Sequence, residues 1–227
     1  MRVAAVIFDM DGLMIDTEGP VQACCQEAAI GMGFDLDDEF YLAELVGRGW
    51  QDCDTALTRR FGPQFLLSDF KDRFQQLWAA RLRAGRIDVK PGLPELISSL
   101  RAASIPIGIA TSTYRDDARL SLQAAGIDGP FDAFVTGDEV THGKPHPEIY
   151  LLAASRLRVG PQMCVALEDS SAGALAAACA GMRTLVIPDN GRALTPQAAS
   201  AAFRILSSLH EARAMLSEWI TDVSNVD

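Results

Sequence analysis

Five short apolar runs punctuate this chain: Val3–Phe8, Pro106–Ala110, Ala133–Thr136, Met163–Leu167 and Thr184–Ile187. Each is too short to fill a helix, is apolar at successive positions, and runs into a polar or glycine-containing turn. Strands of a parallel sheet covered on both faces read this way. Between the runs, Leu93–Ala103, Asp116–Ala125, Pro147–Leu157 and Ala172–Ala180 repeat apolar residues at helical spacing, with Gly126 and Gly181 placed as C-caps. Strand–helix alternation with right-handed crossovers predicts an α/β fold built on a doubly wound parallel sheet. Beyond Asn190 the pattern predicts a short strand near Ala202–Leu206 and a final helix ending near Ile220.

One interval departs from this rhythm. After the first strand come four helical patterns, Val21–Met32, Asp37–Leu45, Gln51–Phe61 and Leu67–Ala84, with no strand among them before Pro91-Gly92. An all-helical domain of residues 16–90, inserted into a core of residues 1–15 and 91–227, accounts for the break. Short linkers near Ile15–Glu18 and Ile87–Lys90 would let the insert move as a lid.

Composition narrows the partners. A formal net charge of −10 argues against nucleic acid, whose phosphates demand clustered Lys and Arg. No run approaches the roughly 18 apolar residues of a membrane span, and the first residues lack the long apolar core of a signal peptide. A cytoplasmic monomer is the expectation. The five cysteines follow neither zinc nor redox spacing, so they are expected as small buried residues. The three histidines show no metal-ligand spacing either, although His142 and His146 flank a loop of interest.

In open parallel sheets, ligands bind beyond the carboxyl ends of the strands. Strand one is followed by Asp9-Met10-Asp11-Gly12, strand two by Thr111-Ser112-Thr113, strand three by Gly137-Asp138-Glu139 and then Gly143-Lys144-Pro145, and strand four by Glu168-Asp169-Ser170-Ser171. Each piece alone also reads as a capped or solvated turn. Their order, once per strand, points to phosphoryl transfer. Asp9 can act as nucleophile, and repulsion between its carboxylate and a phosphate calls for Mg²⁺, which prefers hard oxygen ligands. Asp9 and Asp169 would supply those oxygens together with the backbone of Asp11, and Glu168 would orient metal-bound water. The Asp11 carboxyl fits the acid–base role, Thr111 and the backbone near Ser112 fit phosphoryl oxygens, and Lys144 supplies fixed positive charge.

The stretches DMDGLMIDTE, IATST, HGKPHPEIY and LEDSSAG resemble the four ordered motifs of the haloacid dehalogenase superfamily, over nearly the whole chain and with a helical cap after strand one. The resemblance implies a Rossmann-like core, Asp9 as nucleophile, Asp11 as acid–base, Thr111 on the phosphate, Lys144 as the third-motif lysine and Asp169 on the metal. Asp11 itself matches the superfamily's phosphatases and phosphomutases, not its dehalogenases. The implied activity is Mg²⁺-dependent hydrolysis of a small phosphorylated metabolite, a sugar or nucleoside phosphate, through an aspartyl-phosphate. The alternative is a phosphomutase similar to β-phosphoglucomutase. That enzyme carries a histidine on its first cap helix, where Val21 stands here, and a cap-loop arginine where Trp50 stands, with Arg48 two residues away. Arg48 and Trp50, in the loop Gly47-Arg48-Gly49-Trp50-Gln51, are therefore candidates for choosing the substrate, with Trp50 as a cap-core residue the competing reading. Tyr114 and Arg115 either reach the site or simply begin the next helix.

Overall fold

A computed structural model describes residues 3–221 except 47, 85, 86, 128, 130, 190 and 191. Among these, β1 (Ala5–Phe8), β2 (Ile107–Ala110), β3 (Ala133–Val135), β4 (Cys164–Glu168), β5 (Arg183–Val186) and β6 (Arg204–Ile205) form one parallel sheet ordered β3-β2-β1-β4-β5-β6. Alternation along β1 divides the core. Val6 and Phe8 join one apolar cluster and Ala5 and Ile7 the other, and all four are fully buried.

The insert after β1 holds α1 (Glu18–Ile30), α2 (Asp38–Glu44), α3 (Trp50–Phe61) and α4 (Leu67–Ala84). Helix α1 begins three residues before the apolar pattern does, because Gly19 and Pro20 fall in a first turn, where a missing N–H costs little. Asp37 caps α2 by accepting the Phe40 N–H at 2.7 Å. The insert's interior is aromatic: Phe34, Phe61, Phe65 and Phe70 are linked by ring contacts, and Phe74 meets Trp50 and Trp78. It belongs to the same apolar cluster as the Val6 face of the sheet. The two linkers run side by side. Asp16 N–H donates to Asp88 C=O and Lys90 N–H to Met14 C=O, both at 2.9 Å.

The remaining helices are α5 (Leu93–Ala102), α6 (Arg115–Ala124), α7 (Glu148–Leu157), α8 (Ser171–Cys179), α9 (Pro196–Ala201) and α10 (Leu209–Thr221). Residues of α5, α6 and α10 cover the Val6 face, while α7 and α8 cover the Ala5 face. Helix α9 has no counterpart in the apolar pattern. Its sequence PQAASA offers only Ala198 to the core, and Thr195 caps it by accepting the Ala198 N–H at 3.3 Å. Among the described residues, no helix is long and apolar enough to cross a membrane.

Beyond β3, Glu139 ties three segments together. Its carboxylate accepts the Thr136 N–H and hydroxyl, both at 3.0 Å, together with Arg156 of α7 at 2.5 Å and Arg115 of α6. The Arg156 hydrogen bond leads the lowering of its pKa from 4.5 to about 2. A depressed acid stabilises the fold above its unfolded value and loses that contribution as pH falls through the folded one. Between pH 4.5 and about 2 the native protein should therefore lose stability that Glu139→Gln lacks at every pH. Urea unfolding should find the variant weaker at pH 7, by on the order of 1 kcal/mol given the solvent screening of Arg156, and the gap should close at the acid end. An unchanged gap at low pH would refute the assignment.

Candidate active site

The sheet order places β1 next to β4, and the crossovers from these two strands run to opposite sides. At such a switch point the loops diverge and leave a crevice. Asp9 leaves β1 with its N–H still donating to Leu167 C=O of β4 at 2.9 Å, so the ends of the two strands are held in register. Gly12, at φ +81, turns the chain at once. A Cβ there would overlap the Asp169 carboxylate.

Lys144 enters from the loop before α7 and is 6% exposed. Its Nζ donates to Asp9 Oδ1 at 2.5 Å and to Glu168 Oε1 at 2.6 Å. Burial works against its charge, but the two carboxylates outweigh burial and raise its pKa above the ordinary lysine value. Glu168 is fully buried. Burial raises its pKa, but the Lys144 charge together with the hydrogen bonds from Lys144, Tyr150 and Ser170 lowers it on balance. Its Oε1 also accepts the Tyr150 hydroxyl at 2.7 Å, while Oε2 accepts the Asp169 N–H, the Ser170 N–H and the Ser170 hydroxyl at 3.0–3.2 Å. Five protein donors thus occupy the residue expected to orient metal-bound water, and in this arrangement it anchors Lys144 and the turn into α8. Tyr150 is the supporting residue that pattern reading passed over; it stands six positions after Lys144, so one turn of α7 brings it back beneath the lysine.

Asp169 differs from Glu168. It is 5% exposed, and among the described residues no donor reaches its carboxylate. Burial raises its pKa well above the usual range, and the Asp9 and Glu168 charges add to the effect. Asp9 is pushed up likewise, chiefly by burial and against the pull of Lys144. Ligand oxygens of Asp9, Glu168 and Asp169 lie within 4.8 Å of one another. An all-oxygen cluster of three carboxylates against one lysine, with one carboxylate unpartnered, fits a hard divalent cation.

Asp11 faces the same crevice. Its Oδ1 accepts the Thr17 hydroxyl at 2.8 Å, and its Oδ2 accepts Thr113 at 2.8 Å and Thr111 at 3.1 Å. Thr111, expected on the phosphate, is fully buried and turns its hydroxyl to Asp11, while Ser112 and Thr113 line the crevice. Thr17 sits at the start of the insert, so Asp11 is bonded to both halves of the molecule.

The crevice opens into a cavity of about 180 Å³ between core and insert. Arg48 and Trp50 both line it, and Gly47 of their loop lies outside the described residues. Arg48 is ion-paired with Glu44 at 3.4 Å. Trp50 both lines the cavity and packs its ring edge-on against Phe74 at 5.2 Å, so it belongs to the cap core as well. Tyr114 lines the cavity as well, but Arg115 turns away to Glu139. The histidines correct the sequence reading. Donor atoms of His142, His146 and Glu148 come within 4.8 Å of one another at the surface, because the turn around Lys144 folds positions back together that linear spacing separates. Neither histidine lines the cavity.

Comparison with known proteins agrees with this geometry. A family model described as haloacid dehalogenase-like hydrolase matches residues 3–181. The chain is 34% identical over 198 residues to hexitol phosphatase A of Escherichia coli, covering 87% of this chain and 88% of the relative. It is 32% identical over 181 residues to a phosphorylated carbohydrates phosphatase of Thermotoga maritima, covering 80% and 83%. The structure is similar to that of CbbY from Rhodobacter sphaeroides in complex with phosphate, with a TM-score of 0.79, 30% identity and coverage of 92% and 96%.

The packing around Glu168 makes Gly173 irreplaceable. A Cβ on this first-turn residue of α8 would overlap the Glu168 carboxylate. Gly173→Ala should displace that carboxylate from Lys144 and cost on the order of 3–5 kcal/mol, as breaking a buried ion pair does. Chemical denaturation measures it, and a loss under about 1 kcal/mol would show that the carboxylate moves aside freely.

Proposed function

The chain belongs to the haloacid dehalogenase-like hydrolase family and is a hydrolase of phosphoric monoesters, and from that premise we propose that it is a Mg²⁺-dependent phosphatase of a small phosphorylated sugar or nucleoside. The observation that carries the reading is the pairing of Asp9 with Lys144 at the tip of β1, with Asp11 two residues on and facing the same crevice. In-line attack by an Asp9 oxygen on phosphorus forms an aspartyl-phosphate and breaks the bond to the leaving oxygen. Asp11 gives that oxygen a proton, so the alcohol departs neutral. It then takes a proton from the water that attacks the aspartyl-phosphate, and inorganic phosphate is released.

Asp9, Asp169 and the Asp11 backbone carbonyl would hold Mg²⁺, which when bound offsets the repulsion between carboxylate and phosphate. Lys144 supplies a second, fixed positive charge beside the reacting oxygens. The Ser112 backbone N–H would hold a remaining phosphoryl oxygen, while the Thr113 N–H donates to the Thr111 hydroxyl at 3.1 Å. The insert of residues 16–90 acts as a cap that closes on the core of residues 1–15 and 91–227 and excludes water, with Thr17 reporting cap position to Asp11. A phosphomutase would share this core but must retain a second phosphate. Among the described residues lining the cavity, Arg48 is the cap's cation and is already paired with Glu44, which favours hydrolysis.

Phosphate release measured across sugar and nucleoside monophosphates should require Mg²⁺, cease with chelator and return when the ion is restored. Asp9→Asn should lower kcat by at least about a thousandfold, and acid-quenched native enzyme should carry phosphate bound to protein that Asp9→Asn lacks. Activity surviving that substitution would sink the nucleophile assignment.

A further inference from the structure

We infer that the leaving group accepted by this site carries one aromatic ring and no second anionic group; the inference rests on the phosphatase reading above. The cavity does not stop at the crevice. It extends from Asp9 and Lys144 into the interior of the cap, where Leu45, Trp50, Leu57, Phe70, Phe74 and Trp78 form its wall. The Trp50 and Phe74 rings meet edge-on at 5.2 Å, and Phe74 and Trp78 lie nearly parallel, 12° apart with centroids at 6.4 Å. Such a wall gains by contact with a planar apolar group. Polyol hydroxyls laid against these rings would lose their water to a surface that offers no hydrogen bond.

Size agrees with the chemistry of the wall. Apolar cavities of roughly 150 Å³ take up benzene, and about 180 Å³ with the phosphoryl end included leaves room for no more than one ring beyond the phosphate. The polar groups in the cavity are few and specific. Tyr41 and Ser121, 3% and 1% exposed, both line it, and their hydroxyls have no hydrogen-bond partner among the described residues. Facing inward without partners, they are placed to meet the edge of a ring bearing nitrogen or oxygen.

Charge sets the second condition. Asp117 lines the cavity, as does Glu18, which is paired with Arg192 at 3.3 Å. The cavity's cations among the described residues are Lys144, engaged by Asp9 and Glu168, and Arg48, engaged by Glu44. A leaving group with its own phosphate would find, among the described lining residues, no cation free of an ion pair. This divides the chain from a relative named for hexitols and from a structure solved with xylulose bisphosphate.

The test compares benzyl phosphate with sorbitol 6-phosphate, whose leaving alcohols are both primary, with fructose 1,6-bisphosphate and acetyl phosphate alongside. Benzyl phosphate should exceed both sugar esters in kcat/KM by about tenfold or more. Trp50→Ala should lower the benzyl to acetyl phosphate ratio by about tenfold or more, and Trp50→Phe should restore most of it, in keeping with the strength of ring stacking. Because Trp50 and Trp78 are two of the chain's three tryptophans, emission of the unmutated protein gives a reading independent of any variant's folding. Benzyl alcohol should change it saturably, and sorbitol should not. Preference for either sugar ester, an unchanged ratio in a folded Trp50→Ala, or no emission change overturns the assignment while acetyl phosphate turnover keeps the phosphatase reading. Silence on acetyl phosphate as well would overturn that reading and the inference with it.

Discussion

The structure turns on one buried cation. Lys144 lies between Asp9 and Glu168 at the carboxyl end of the two central strands, where three carboxylates crowd a site nearly closed to water. Burying like charges together is among the most costly things a fold can do, and a lysine in direct contact with two of them offsets much of that cost. The surrounding architecture serves this arrangement. Tyr150 and the start of α8 saturate Glu168, Gly173 clears space for it, and Gly12 clears space for Asp169. What the protein donors leave uncompensated is the Asp169 side of the cluster, and that residual negative charge is what a divalent cation would neutralise.

Asp11 carries the connection between the halves of the molecule. It is two residues from Asp9 in sequence, yet its oxygens bond to threonines from the linker and from the loop after β2. A carboxylate held by three hydroxyls has a defined position, and that position depends on where the linker lies. Backbone hydrogen bonds between the paired linkers keep the two crossings together, so motion of the cap must pass through one narrow double strand. The position of the Asp11 carboxylate is thereby tied to that of the linker.

The cap contributes a different kind of constraint. Three of its helices run only 7 to 13 residues, marginal on their own, and the aromatic interior supplies the burial that holds them. Phe70, Phe74 and Trp78 of that interior also wall the cavity, so residues that fold the cap shape what it encloses. Trp50 shows this most plainly, packed on Phe74 on one side and facing the crevice on the other. A binding surface built from structural residues changes only when the cap's own packing changes.

The sequence by itself determined the parallel α/β sheet, the helical insert and the order of the polar loops, because apolar period and turn chemistry are local and crossovers keep one hand, whereas the lateral order of the strands came from the structure. It also named Asp9, Asp11, Lys144 and Asp169, since each directly follows a strand or its connecting loop. It missed α9, whose one buried alanine leaves no periodic signal. It also passed over Tyr150, and it kept His142 and His146 apart. Only the tertiary structure decided how side chains share partners. Glu168 serves Lys144 and a helix turn, Thr111 and Thr113 serve Asp11, Arg115 serves Glu139, and Trp50 serves the cap and the cavity together. These choices lie beyond sequence pattern because hydrogen bonds and ring contacts depend on positions in space to within an ångström, and residues as far apart as Asp11 and Thr113 acquire such positions only when the sheet has formed.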